Sequence, residues 1–180
     1  GIVNPESAIP LQELAKKAAV SVSVINKLHQ LGKLTLEEIT LPSPFRVPDW
    51  TSPGPTLSNE QAIISQALST AVEKKKFEVS LLEGVPGSGK TEVYTEAICK
   101  ALSLGKQALV LLPEIALSTQ WLTRFRQRFG CEPIVWHSDL TISQRKVAWR
   151  SIIEGRVQVV VGARSALFLP FKNLGLVIID

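Results

Sequence analysis

From Thr56 onward the apolar positions change period repeatedly, and the alternation predicts a layered α/β domain. Ser58 and Gln61 form a capping box that opens a helix, with Ala62, Ile63, Ala67, Ala71 and Val72 expected on its buried face. Val79–Glu83 is expected to be a strand. Thr91–Leu104 reads as a helix with Val93, Tyr94, Ala97, Ile98, Ala101 and Leu102 inward, closed by Gly105. Ala108–Leu112 follows as a strand, Ser118–Phe129 as a helix closed by Gly130, and Pro133–Trp136 as a strand. Thr141–Gln144 caps a helix running to Glu154, and Val157–Val161 and Leu176–Ile179 are two further strands. These strands are continuously apolar, as strands buried on both faces of a parallel sheet are.

Before Thr56 the pattern is different. Leu11, Leu14, Ala15, Ala18 and Ala19 repeat at helical spacing behind Pro10, whose missing N–H costs nothing at a helix start. After a break at Val20–Ser21, Val24, Ile25, Leu28 and Leu31 mark a second helix, stopped by Gly32. Lys33–Ile39 is compatible with a strand. Two short helices and a strand match the back half of a winged helix, although any small helical hairpin has the same pattern. Residues 42–55 hold five prolines and read as a semi-rigid linker, with Phe45, Val47 and Trp50 suited to packing along a surface. The expected layout is therefore 1–41, part of a winged-helix domain; 42–55, linker; and 56–180, the α/β domain.

Composition narrows the class only a little. The chain has 180 residues, 45% hydrophobic and 20% charged, an ordinary globular profile with enough apolar residues for a core. The apolar runs Val157–Val161 and Leu174–Ile179 are too short to cross a bilayer. A chain that opens on Gly1 and contains no Met reads as an internal segment of a longer protein. Cys99 and Cys131 form no C-x-x-C pair, and both are expected to be reduced thiols in a cytoplasmic protein. Between Trp121 and Lys172 nine basic residues face three acidic ones, a local +6 that leaves −2 to the rest of a chain of net +4. Such an excess attracts a phosphate backbone, unless it consists of solvated helix faces.

The chemistry sits at Gly84-Val85-Pro86-Gly87-Ser88-Gly89-Lys90-Thr91, which fits G-x-x-x-x-G-K-[ST] at every fixed position. Gly84, Gly87 and Gly89 let successive backbone N–H groups turn inward toward phosphate oxygens, with Ser88 among the donors. The helix that follows presents its positive end to the same anion. Lys90 supplies a charge to the terminal phosphates and Thr91 a hydroxyl to Mg²⁺. Pro86 has no N–H to donate and is expected to stiffen the loop. A second carboxylate is needed on the metal side, at the C-terminal tip of a neighbouring buried strand, and Asp180 ends such a strand.

With these elements in hand the chain resembles the first motor lobe of superfamily-two helicases. Gly87–Tyr94, Leu112–Leu117, His137–Ser138 and Gly162–Phe171 further resemble the primosomal protein N′ family of bacterial replication-restart helicases. The resemblance implies a partial RecA-like P-loop lobe, ATP and Mg²⁺ as cofactors, and 3′-to-5′ translocation on DNA, both forked and single-stranded. It also implies recognition of stalled forks and primosome assembly, with primosome proteins and single-strand-binding protein as partners of the longer protein. Zinc is implied in that longer protein, outside these residues. Pro113, Arg164 and Ser165 fall in segments that touch the DNA strand, and an Arg and a Ser after a strand tip suit phosphate oxygens. Gln61 matches the adenine-reading glutamine, a role that competes with its place in the capping box. Pro86 and Asp139 depart from the family's more usual Thr and Gly without removing a phosphate or metal ligand. Family members carry Glu-Glu-His after the metal-side Asp, and the first Glu polarises water. The segment is accordingly expected to bind ATP weakly and not to hydrolyse it at a helicase-like rate. Two alternatives stay open: another superfamily-two DNA translocase, or a winged-helix DNA-binding module with a nucleotide-responsive domain.

Overall fold

A computed structural model describes residues 9–36, 45–74, 76–113 and 119–180. The chain divides into two compact units between residues 42 and 43. In the first, α1 (Leu11–Lys17) and α2 (Val22–Gln30) bury Ala15 and Ile25. Gly32, at φ +66°, ends the second helix as expected. Lys33–Leu36 forms no strand, and the rest of the strand expected there lies outside the described residues.

The second unit holds α3 (Asn59–Glu73), α4 (Lys90–Ser103), β1 (Gln107–Leu111), α5 (Thr119–Phe129), β2 (Ile134–Trp136), α6 (Ile142–Ile153), β3 (Val159–Gly162), a 3-10 turn (Arg164–Phe168) and β4 (Leu174–Ile179). The four strands pair in parallel in the order β2-β3-β1-β4. Side chains alternate across the sheet. Ala108, Val110, Val159 and Val161 join Tyr94, Ile98, Phe125 and Phe129 in one apolar layer. Leu109, Leu111 and Val160 join Ile134, Ala148, Ile152 and Leu169 in the other. Burial on both faces explains why β1 and β3 carry no polar alternation. The one polar side chain buried on β1, Gln107, is satisfied: its amide donates to the carbonyls of Ile152 and Val157, and its oxygen accepts from the Asn173 N–H.

The structure corrects the expected elements in four places. Val79–Glu83 is extended but joins no ladder, and Val79 and Leu81 are 79% and 84% exposed. A strand exists only through a neighbour's hydrogen bonds, and the described sheet offers this run no partner. On α3 the buried face is centred on Ser65, while Ile63 is 71% exposed, because packing against α4 outranks the apolar count. β4, read as buried on both faces, lies at the edge of the described sheet and leaves Leu174, Val177 and Ile179 exposed. Val47 is also exposed, whereas Phe45 and Trp50 pack against the two apolar layers as expected.

The proline-rich stretch is a strap on this unit. The Asp49 N–H donates to the Phe129 carbonyl at 2.9 Å, and Arg128 donates to the Ser52 carbonyl. The Asp49 carboxylate accepts from the Thr51 hydroxyl and from the N–H groups of Thr51 and Ser52, which hold it below the usual carboxylate range.

Candidate nucleotide-binding site

The loop at 84–91 takes its shape from three glycines with three separate reasons. Ser88 N–H donates to the Val85 carbonyl at 3.1 Å, closing a turn with Pro86 second and Gly87 third. Gly87 has φ +81°, so Pro-Gly here carries the signature of a type II turn, and Pro86 stiffens the loop as expected. Gly89, at φ +82°, ends the loop at the start of α4, and a Cβ there would stand 2.4 Å from Gln61 Nε2. A Cβ on Gly84 would stand 2.6 Å from Ser88 Oγ.

α4 has no side-chain cap, whereas α3 and α6 have complete capping boxes at Ser58–Gln61 and Thr141–Gln144. The first N–H groups of α4 are thereby left to an external acceptor, at the positive end of its dipole. Lys90 Nζ donates to the carbonyls of Gly84 and Val85, at 2.8 and 3.1 Å. Gln61 fills its place in the capping box and also reaches the phosphate loop. Its oxygen accepts from the Ser58 N–H at 2.8 Å to complete the capping box, and its amide donates to the Ser88 carbonyl at 2.9 Å.

Asp180 is placed by the sheet. Leu111 pairs with Gly162 on one side and Ile179 on the other, so the C-terminal tips of β1, β3 and β4 lie along one edge. The Asp180 N–H donates to the Leu111 carbonyl at 3.0 Å. Its Oδ2 accepts from the Tyr94 hydroxyl at 2.7 Å, and Tyr94 Oη accepts from Trp121 Nε1–H at 2.9 Å. Burial, with the neighbouring carboxylate adding to it, pushes the Tyr94 phenol far above its ordinary range, so Tyr94 is a proton donor at neutral pH.

A cavity of about 410 Å³ is lined by Gly87, Gly89, Lys90, Thr91, Gln61 and Asp180, with Pro55–Leu57, Glu92 and Arg124 on its rim. A smaller one of about 270 Å³ joins Thr91 and Asp180 to Pro113, Gln120, Trp121 and Arg124. The structure therefore brings the loop, Gln61, Asp180 and Pro113 together. Arg164 and Ser165 sit exposed beyond the tip of β3 and line neither cavity. Residues 114–118 lie outside the described residues.

Much of the local basic excess is spent on ion pairs. Arg124 meets Glu92, Arg126 meets Glu132, Arg128 meets Glu96, and Arg150 and Arg156 share Glu154. Arg145 lies over the Trp136 ring and donates to the Ser138 and Leu140 carbonyls. The +6 read from the sequence is thus largely offset by neighbouring carboxylates, while Lys146, Arg164 and Lys172 are exposed. His137 is a hydrogen-bonded loop residue, its Nδ1 accepting from the Asp139 N–H. Cys99 and Cys131 are buried free thiols.

Sequence reasoning placed Tyr94 only in the core and missed it as part of the site, together with Trp121 and Arg124. The available signal was chemical: a Tyr on an otherwise apolar helix face needs a buried partner for its hydroxyl.

The donor set fits a magnesium nucleotide. The close approaches at Gly84 and Gly89 form a cradle that a Cβ would fill, and an ammonium, a hydroxyl and a carboxylate converge beside it. Comparison with known proteins agrees: residues 60–180 match the DEAD/DEAH box helicase family, and the chain belongs to it. Such a helicase domain works with ATP and Mg²⁺. Within that family the chain is similar to proteins named replication restart protein PriA. It is 47% identical over 160 residues to that of Rickettsia felis, covering 87% of this chain and 24% of the relative. It is 43% identical over 183 residues to that of Bacillus subtilis, covering 99% and 23%. The relative from Chlamydia muridarum is 39% identical over 181 residues, covering 94% and 23%. The chain thus spans about a quarter of the length of these relatives. No helix among the described residues is long and apolar enough to cross a membrane.

Proposed function

We propose that residues 56–180 are the ATP-binding first motor lobe of a cytoplasmic, ATP-dependent 3′-to-5′ DNA helicase. That helicase recognises stalled forks and initiates primosome assembly during replication restart. The observation that carries this reading is the single cavity shared by the glycine loop, Gln61 and Asp180. In it the loop N–H groups and the start of α4 hold the phosphates, and Gln61 contacts the adenine edge while it tethers Ser88. Thr91 and Asp180 hold Mg²⁺, which supplies charge neutralisation to the terminal phosphates when bound. Lys90 leaves the Gly84 and Val85 carbonyls for those phosphates, exchanging neutral acceptors for charged ones, which form the stronger hydrogen bonds. Arg164, Ser165 and Pro113 contact the DNA strand beyond the strand tips. Residues 1–41 belong to a winged-helix DNA-binding domain, and 42–55 are the linker between it and the lobe. Primosome proteins, single-strand-binding protein and a zinc site belong to the longer protein. By itself the 180-residue chain binds nucleotide weakly and without helicase-like turnover.

The test is equilibrium binding of a fluorescent ADP to this chain. Lys90→Ala is expected to weaken binding at least about tenfold, the loss of one charge-assisted contact. Wild-type binding no tighter than that of Lys90→Ala would overturn the reading. Robust hydrolysis stimulated by single-stranded DNA would overturn the part concerning turnover.

A further inference from the structure

The hydroxyl of Tyr94 is an unusual group for its surroundings. Tyr94 is 5% exposed, in a layer otherwise built from Ile98, Val110, Phe125 and their neighbours. Two of its hydrogen bonds, with Trp121 and Asp180, have a forced direction. An indole N–H only donates, so Trp121 gives its proton to Tyr94 Oη; an ionised carboxylate only accepts, so Tyr94 gives its proton to Asp180 Oδ2. The order Trp121 to Tyr94 to Asp180 cannot reverse without breaking a bond.

The three residues come from three elements. Tyr94 lies one turn beyond Thr91 on α4, so the helix that presents Lys90 and Thr91 to the loop also reaches the β4 tip. Trp121 lies in the first turn of α5 and is fixed by its own packing: its ring stacks on Phe125 at 5.5 Å, and Phe125 packs on Phe129 at 4.4 Å. The smaller cavity is lined by Trp121, Pro113, Thr91 and Asp180 together.

We propose that Tyr94 is a positioning residue for the metal-side carboxylate, and that Trp121 sets Tyr94. Holding Oδ2 leaves Oδ1 of Asp180 to face the metal side in one orientation. Partners of metal-side ligands commonly act this way, and their removal costs metal affinity while packing persists. The inference rests on the magnesium-nucleotide reading above. It adds that Trp121 of α5 and the nucleotide site share one chain of hydrogen bonds.

The experiment measures fluorescent-ADP affinity of the 180-residue chain in Mg²⁺ and in EDTA, for wild type, Tyr94→Phe and Trp121→Phe. Tyr94→Phe keeps the buried ring and removes only the hydroxyl. The gain in affinity from Mg²⁺ is expected to fall about tenfold in Tyr94→Phe, with the EDTA value unchanged. Trp121→Phe is expected to lose less, in the same direction, and it carries the test if Tyr94→Phe fails to fold. In ¹⁵N-tryptophan protein, the Trp121 indole resonance is expected to shift with Mg²⁺–ADP in wild type and to stay still in Tyr94→Phe. An undiminished Mg²⁺ gain in the variants sinks the inference, and so does an equal loss in Mg²⁺ and EDTA, which marks packing alone. A wild type that binds no nucleotide sinks the underlying reading along with it; wild-type binding with a retained gain in the variants sinks only the inference.

Discussion

Two apolar runs of this lobe look alike as sequence and differ completely in the fold. Ala108–Leu112 becomes β1 with its flank, pairs with β3 and β4, and is buried along its length. Val79–Glu83 has the same expected state, yet it pairs with nothing in the described sheet and leaves Val79 and Leu81 open to solvent. The difference teaches that an apolar run specifies a capacity for strand, while pairing and burial on two faces supply the stabilisation. The phosphate loop hangs between one kind of support and the other: α4 anchors its far end in the core, and the unpaired run leads into its near end.

The comparison can be broken most directly by truncating one residue in each run. Leu109→Ala is expected to cost about 3 kcal/mol, since Leu109 is fully buried in the centre of the sheet. Leu81→Ala is expected to stay within about 0.5 kcal/mol. Denaturant midpoints followed by tryptophan fluorescence decide this, and equal losses would mean that 79–83 is paired in solution.

Smaller effects sharpen the contrast at the loop's two ends. Gly89→Ala faces both a left-handed φ and Gln61 Nε2 at 2.4 Å, and is expected to cost about 2 kcal/mol with loss of nucleotide binding. Gly87→Ala has the same strained φ but open space around it, and is expected to cost about 1 kcal/mol. The two ΔΔG values, measured by the same unfolding curves, would lose their meaning for loop anchoring if their order reversed.

The smallest effect concerns the strap. Asp49 is held below 3.8 by the Thr51 hydroxyl first and then by backbone N–H groups, so its folded pKa is depressed. A depressed carboxylate contributes stability above its ordinary pKa and loses it as pH falls through the folded value. Wild type is therefore expected to exceed Asp49→Asn slightly at pH 7, with the gap closing below about pH 3.8. A gap that does not narrow at all as the pH falls below 3.8 would assign the effect to packing.

Much of the site was legible because it is local. The glycine-lysine-threonine spacing needs only one turn and one helix start, and Gly87 and Gly89 adopt the conformations that their residue type allows. The capping boxes at Ser58 and Thr141 are equally local, spanning four residues each. Asp180 was legible one step further out, through the rule that ligands gather at the C-terminal tips of parallel strands. The charge argument did poorly for the opposite reason. Counting Arg124, Arg126 and Arg128 says nothing about Glu92, Glu132 and Glu96, which meet them across turns and neighbouring helices.

By itself the sequence determined the phosphate loop, the amphipathic α4, the doubly buried strands and membership in a P-loop class, because each depends on residue type and short-range spacing. Tertiary structure alone decided which apolar run entered the sheet, which arginines were neutralised, and that the hydroxyl of Tyr94 stands between Trp121 and Asp180. The last of these depends on residues 27 and 86 positions apart meeting at hydrogen-bond distance. Only the packing of α4 and α5 against one face of the sheet creates such meetings.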